Sequence, residues 1–358
     1  MNIYVMTFIN ANNYGAVLQA YGLQTYLENV GNRVIFINYK YSGSTKLTFK
    51  QKLLRKIKSF LQPEKVQYIK NKQHAFSEFK KKYISITDKQ YYNEVNIELS
   101  DSDIVICGSD QVWNSDLNGM KPGFYLDFSE KQKSFTYAAS VGRAPLTNKD
   151  KELITEYVKD IDRVSVREQS LLEYLKSENI DSQLVCDPVF LLQKDEWSKI
   201  AKLNDKHNYI LVYGMADTDE LRKTVQKVSQ KHNKKVYYIW GGKDNPYSKI
   251  YGEKIECYGP DEFLGCIINA DLVITNSFHG AAFSMIFNKK LYVVKHTNRN
   301  DRLDNLLSIS GNIGKIIDSV DFEIVNKEIS GENSLEKMHL LIQSSKRYLN
   351  EVSSKNNV

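Results

Sequence analysis

The residues best suited to chemistry lie in one segment, Ala270 to Phe287, which reads ADLVITNSFHGAAFSMIF. The apolar run Leu272 to Thr275 leads into Asn276 and Ser277, and His279-Gly280 opens the stretch that follows. This pattern predicts a buried strand ending at the mouth of a helix. Free amides at a helix start form an anion site that the helix dipole favours. Gly280 lets a ligand come close to the backbone. Ser277 can cap the helix or bond an anion, and Asn276 stands beside it. An imidazole at His279 can donate a proton near neutral pH. A lone histidine after a strand is also a common structural residue, so its neighbours must decide.

Those neighbours carry charge and hydrogen-bonding groups. Lys295, Arg299 and Arg302 follow the next expected strand, on a loop able to return to the same place. A guanidinium fork suits carboxylate and phosphate, although each of these residues also fits an ordinary surface cation. Arg167, in Ser165-Val-Arg-Glu168, stands at another expected strand end. Three more loops, Asn12 to Gly15, Gly108 to Asn114 and Ser140 to Arg143, occupy similar places. Asp110 or Asn114 can bond sugar hydroxyls, and Trp113 offers an apolar platform for a sugar face. Equally, Asp110 fits a helix cap and Trp113 a core anchor.

The elements that must position these residues alternate. Ile3 to Phe8 is rich in strand formers, and Val17, Leu18, Tyr21, Leu23 and Leu27 recur at mainly helical spacing up to Gly31. Val34 to Tyr39 is again strand-like. Such a βαβ opening implies a parallel sheet with right-handed crossovers. Further strands are expected at 104–107, 135–139 and 163–166, with helices near 148–160 and 168–177. A polar connector spans 193–208. A second series follows, with strands at 209–213, 235–240, 254–258, 271–275 and 291–295, and helices at 217–232 and 260–270. A last helix covers 334–352. The expected fold is α/β, with two Rossmann-like doubly wound domains and a cleft at the carboxyl ends of their strands, where such sheets bind ligands. The boundaries read as 1–192, a linker at 193–208, a second domain at 209–330, and a helix with its tail at 331–358.

Composition narrows the functional classes. With 358 residues and 42% apolar side chains the chain can bury two ordinary cores. Its excess of six basic over acidic residues is too small for a nucleic-acid footprint but leaves room for anionic small molecules. The four cysteines lack disulfide or zinc spacing and are expected as buried free thiols. The six histidines show no metal-ligand pattern, so no metal site is expected. Neither GxGxxG after the first strand, nor GxxxxGK[ST], nor GxSxG occurs. No secretory leader or membrane span is visible, which predicts a cytoplasmic protein. The stretch 46–82 stands apart, with twelve Lys or Arg against Glu64 and Glu78. Within 49–61, Phe49, Leu53, Ile57, Phe60 and Leu61 share one helical face bordered by cations. That face suits an anionic membrane surface, or packing on its own domain.

Taken together, the segments Asn12-NYGAVLQAYGL-23, Cys107-GSDQVWN-114, Ser165-VRE-168, Cys186-DPVFLL-192, Tyr258-GPDEFL-264, Thr275-NSFHG-280 and Arg302-LDNLL-307 resemble the polysaccharide pyruvyltransferase family. The resemblance runs over roughly residues 3 to 310. It implies a GT-B-like architecture and an enzyme with phosphoenolpyruvate as co-substrate and no further cofactor. The product would be a pyruvate ketal on a sugar of a capsule or exopolysaccharide precursor, with phosphate released. The family's functional histidine falls on His279, and its later basic residue on Arg299 or Arg302. On that footing, His279 and Arg302 are the expected catalytic residues. Asn276, Ser277, Gly280, Arg299 and Arg167 would hold the donor, and Asn13, Gly15, Asp110, Trp113 and Arg143 the acceptor. A lipid-linked oligosaccharide acceptor would give the 49–61 face a reason to touch the inner membrane surface. The rivals are a nucleotide-sugar glycosyltransferase of the same architecture and a non-catalytic sugar-binding protein. The first would keep an acid near the end of the helix after 271–275, where this chain reads GAAFSMIFNK.

Overall fold

Runs of three to six residues that are apolar on both faces can be satisfied only as strands covered on both sides, and here they assemble into parallel sheets. The computed structural model describes residues 1–40, 63–92, 94–129, 133–240, 252–295, 301–318 and 327–354. Arg299 and the 49–61 face therefore lie outside the described residues.

The first sheet joins β1 (Asn2–Met6), β2 (Arg33–Phe36), β3 (Ile104–Cys107) and β4 (Lys133–Thr136) in the order β2-β1-β3-β4, all parallel. β5 (Val164–Val166) and β6 (Ser182–Leu184) pair in parallel. They continue from β4 through bridges of Phe135 with Arg163 and Ala139 with Val166. The covering helices are α1 (Tyr14–Asn29), α2 (Pro63–Tyr83), α3 (Asn148–Tyr157) and α4 (Gln169–Ser177). After the short α5 (Lys194–Ile200) the second sheet begins with β7 (Tyr209–Gly214), every residue of which is buried. α6 (Asp219–His232), β8 (Val236–Trp240), β9 (Glu253–Lys254), α7 (Pro260–Asn269) and β10 (Ala270–Thr275) follow. The chain then runs through α8 (Phe278–Ile286), β11 (Lys290–Val293), α9 (Asp301–Ile309), β12 (Ile329–Ser330) and α10 (Gly331–Val352). The strand order is β12-β11-β10-β7-β8-β9, parallel except for the β11–β12 pair.

The lobes share one core. Tyr14 of α1 stacks on Phe263 of α7 at 4.8 Å and 6°, and its hydroxyl donates to the Cys257 carbonyl at 2.8 Å. α10 touches both lobes. Near its start Ser334 accepts from Asn312 at 3.0 Å, and near its end Tyr348 donates to the Thr136 carbonyl at 2.9 Å. All four cysteines are buried and free. Among the described residues no helix is long and apolar enough to cross a membrane, and no cluster of His, Cys, Asp and Glu is placed to hold a metal ion.

Three elements differ from the sequence expectation. The strand expected at 254–258 shortens to β9, because the Tyr258 and Gly259 amides cap α7 through Glu262, at 2.7 and 3.2 Å, instead of joining a ladder. β2 stops at Phe36, whose amide and carbonyl turn to Ser85 and Thr87 at 2.8 and 2.9 Å. Arg302 sits not on a loop but in the first turn of α9.

Candidate active site

Both sheets aim their carboxyl ends at one place. From the second lobe, β10 delivers Ser277, whose side chain caps α8 by accepting from the Gly280 amide at 3.4 Å. That cap sets His279 in the first turn of α8, facing the first lobe. There it meets the amino end of α1, which Asn13 caps by accepting from the Ala16 amide at 3.2 Å. Gly15 makes the meeting possible: a Cβ on it would stand 1.9 Å from His279 Nδ1 and 2.3 Å from Cγ. Two helix amino ends thus converge around one imidazole, and both favour negative charge nearby.

On its other side the imidazole faces Asp187, which follows β6. His279 Nε2 lies 3.6 Å from Asp187 Oδ2, outside hydrogen-bond range but within ion-pair range. Arg167, just past β5, donates through Nη1 to the same Asp187 oxygen and through Nη2 to Ser140 at 3.0 Å. Ser109 adds a longer contact to Asp187 at 3.4 Å, and the Val189 amide donates to its other oxygen at 3.1 Å. Burial pushes the Asp187 carboxyl up, but the Arg167 charge, aided by His279 and the Val189 amide, holds it well below the usual carboxylate range. Glu168, next along the chain, accepts from Ser140 and from the Gly142 amide at 2.9 Å. Burial keeps its carboxyl raised, against the pull of Arg167. Arg302 reaches in from α9, with Nη1 3.7 Å from Asp110. The Arg167 and Arg302 guanidiniums lie 4.8 and 5.9 Å from the centre of the Phe278 ring. The imidazole is nearly covered, with His279 6% exposed.

The structure therefore brings together His279, Ser277, Gly15, Asn13, Arg167, Asp110 and Arg302. Four expected roles are corrected. Trp113 is wholly buried, stacks on Tyr125 at 5.9 Å and donates to the Phe124 carbonyl at 3.1 Å; it is a core anchor, not a sugar platform. Arg143 is spent on the start of α3, paired with Asp150 at 2.7 Å and with Asp116. Gly280 opens no space for a ligand, since a Cβ there would meet Thr275 Oγ1 at 2.4 Å and the Tyr213 ring at 2.8 Å. Asn276 uses both ends of its amide on the loop after β7, accepting from the Met215 amide at 2.7 Å and donating to the Ala216 carbonyl at 2.8 Å. Asp187, Glu168, Ser109 and Ser140 were not singled out from the sequence. Asp187 had one local signal: an acid between an apolar run and Pro188, at the end of a sheet.

Two doubly wound lobes facing each other across a polar junction define the GT-B-like class of architecture. The UDP-GlcNAc 2-epimerase of Methanocaldococcus jannaschii has this fold at a TM-score of 0.50, with 12% identity, 98% of this chain and 99% of that one covered. The UDP-N-acetylglucosamine 2-epimerase of Rickettsia bellii scores 0.48 at 10% identity, with 98% of each chain covered. The spinosyn rhamnosyltransferase SpnG, complexed with spinosyn aglycone, scores 0.40 at 11%, covering 99% of this chain and 96% of that one. No curated protein matches the chain in sequence. The polysaccharide pyruvyl transferase family model matches residues 13–298, and the chain belongs to that family. It is a transferase of polysaccharide biosynthesis.

Proposed function

We propose that the chain moves the pyruvyl group of phosphoenolpyruvate onto two hydroxyls of one sugar in a cell-surface polysaccharide precursor. The observation that supports this best is the meeting of two helix amino ends at His279, beside the buried Arg167–Asp187 pair and Arg302. A donor carrying a carboxylate and a phosphate suits amide dipoles and guanidinium groups. Protonation of its methylene carbon, with His279 as the donor, gives the neighbouring carbon oxocarbenium character. One sugar hydroxyl adds there, the phosphate leaves, and the second hydroxyl closes the ketal. Of the two hydroxyl protons released, one replaces the proton spent on the methyl group and the other leaves with the phosphate. Arg302 steadies the departing charge, and residues near Asp110 and Asn13 face the acceptor. His279 is nearly covered, and substrates approach it from the side closed by the Asp110–Arg302 contact and the Ser170–Asp301 hydrogen bond of 2.8 Å. No cofactor is needed for this chemistry. A lipid-linked oligosaccharide at the inner membrane face is the acceptor we favour, by the reasoning on the basic stretch 46–82.

The test is phosphate release from phosphoenolpyruvate with a panel of lipid- and nucleotide-linked sugars, followed by acceptor mass. His279→Ala is expected to lose about 10²–10⁴-fold in turnover, the contribution of a positioned acid, while remaining folded. Near-normal turnover in a folded variant removes His279 from the reaction.

A further inference from the structure

We propose that Asp187 is the positioning residue of this reaction: a buried carboxylate, fixed by Arg167, that supplies the counter-charge to the His279 imidazole and aims it. This rests on the reading of His279 as the proton donor. The argument begins with an electrostatic problem. An imidazolium at His279 lies within the first turn of α8 and against the amino end of α1, and both helix dipoles disfavour a positive charge there. A proton donor in that place needs an anion at close range.

The charged groups around the ring identify that anion. Arg167 and Glu168 come from the junction of β5 and α4, Asp110 from the loop after β3, Arg302 from α9, and Asp187 from the segment after β6. Arg302 is turned to Asp110, and Glu168 to Ser140 and the Gly142 amide. Among the described residues only Asp187 stands in ion-pair range of the imidazole, at 3.6 Å. Its side chain is wholly buried and cannot swing, because Arg167, Ser109 and the Val189 amide hold its two oxygens. His279 Nε2 is buried and has no hydrogen-bond partner among the described residues. A small tilt of the ring completes a charge-assisted bond to Asp187. Gly15 backs the Nδ1 edge and the Phe278 ring lies 5.1 Å away, so little other motion is open to it. Nε2 then belongs to Asp187, while the Nδ1 edge faces Gly15.

The experiment uses substrate-free enzyme, so that it stands apart from the identity of the donor. The ring carbon signal of His279, assigned by its loss in His279→Gln, is followed against pH in wild type and in Asp187→Asn. The substitution removes the one negative charge placed beside the ring, so the pH dependence of that signal is expected to move to lower pH. In a separate turnover assay with phosphoenolpyruvate and acceptor, the basic limb of kcat/KM is expected to move with it. Superimposed curves overturn the proposal. Because the Asn variant can fail to fold, wild type supplies a second reading: above the transition, long-range nitrogen–proton correlations should show the Nε2–H tautomer. The Nδ1–H tautomer overturns the proposal without any variant. If the titration shifts as expected but wild type never consumes phosphoenolpyruvate, Asp187 keeps its hold on the ring and the assigned reaction falls.

Discussion

Replacing Gly15 by alanine tests the meeting of the lobes most directly. The new methyl would stand 1.9 Å from His279 Nδ1, whereas relaxed contacts lie near ~3.5 Å. Ring and helix must therefore separate by roughly 1.6 Å, as the difference of those two distances. Neither can yield cheaply. α1 is anchored by the stack of Tyr14 on Phe263 and its hydrogen bond to Cys257, and the ring is flanked by Asp187 and Phe278. Overpacking of this kind costs about 1–3 kcal/mol. A displacement above 1 Å at a reacting group is worth roughly 10²-fold in turnover. In a His279→Ala background the same methyl enters space the ring has left, so its cost should nearly vanish. Urea unfolding of wild type, both single variants and the double variant forms a cycle, with an expected coupling of about 1–3 kcal/mol. Additive changes would refute the packing of this glycine against this histidine.

Two further outcomes follow from corrected residues. Trp113→Ala should lower unfolding stability by about 3–5 kcal/mol, as for a buried aromatic, with the acceptor KM per folded molecule unchanged; a raised KM at unchanged stability would restore the platform role. The Asp150 carboxyl is drawn down to about 2, with burial opposing and Arg143, the Ser115 amide and Thr147 prevailing. Its folded value lies below the unfolded value of about 3.9. Its stabilisation is therefore complete above that value and fades as pH falls towards 2. Arg143→Ala should move acid unfolding, followed by circular dichroism, to higher pH, and an unmoved transition would show that the pair contributes nothing.

The sequence made the second lobe's share of the site readable, because it is local. An apolar run, a capping serine and a histidine in the first helical turn lie within eight residues, and each states its own geometry. Partners that meet across the fold left weaker marks. Asp187 and His279 touch only because two sheets aim at one point, and no periodicity records that. The glycines show the same limit. Gly15 and Gly280 look equally open in sequence, yet one is filled by an imidazole and the other by Thr275 and Tyr213. Trp113 misled because it stands among polar residues, while its ring turns inward onto Tyr125. Strand ends were misplaced where a side chain took over a backbone bond, as Glu262 does for Tyr258.

α10 leaves the second lobe and fastens to the first through Ser345, Tyr348 and Asn350. The halves are thus joined by two cords, the stretch 193–208 and this helix. A double tether, added to the shared core, resists sliding or twisting of one half on the other. A cut in the first cord alone would leave the pair still fastened, with the imidazole kept in its seat.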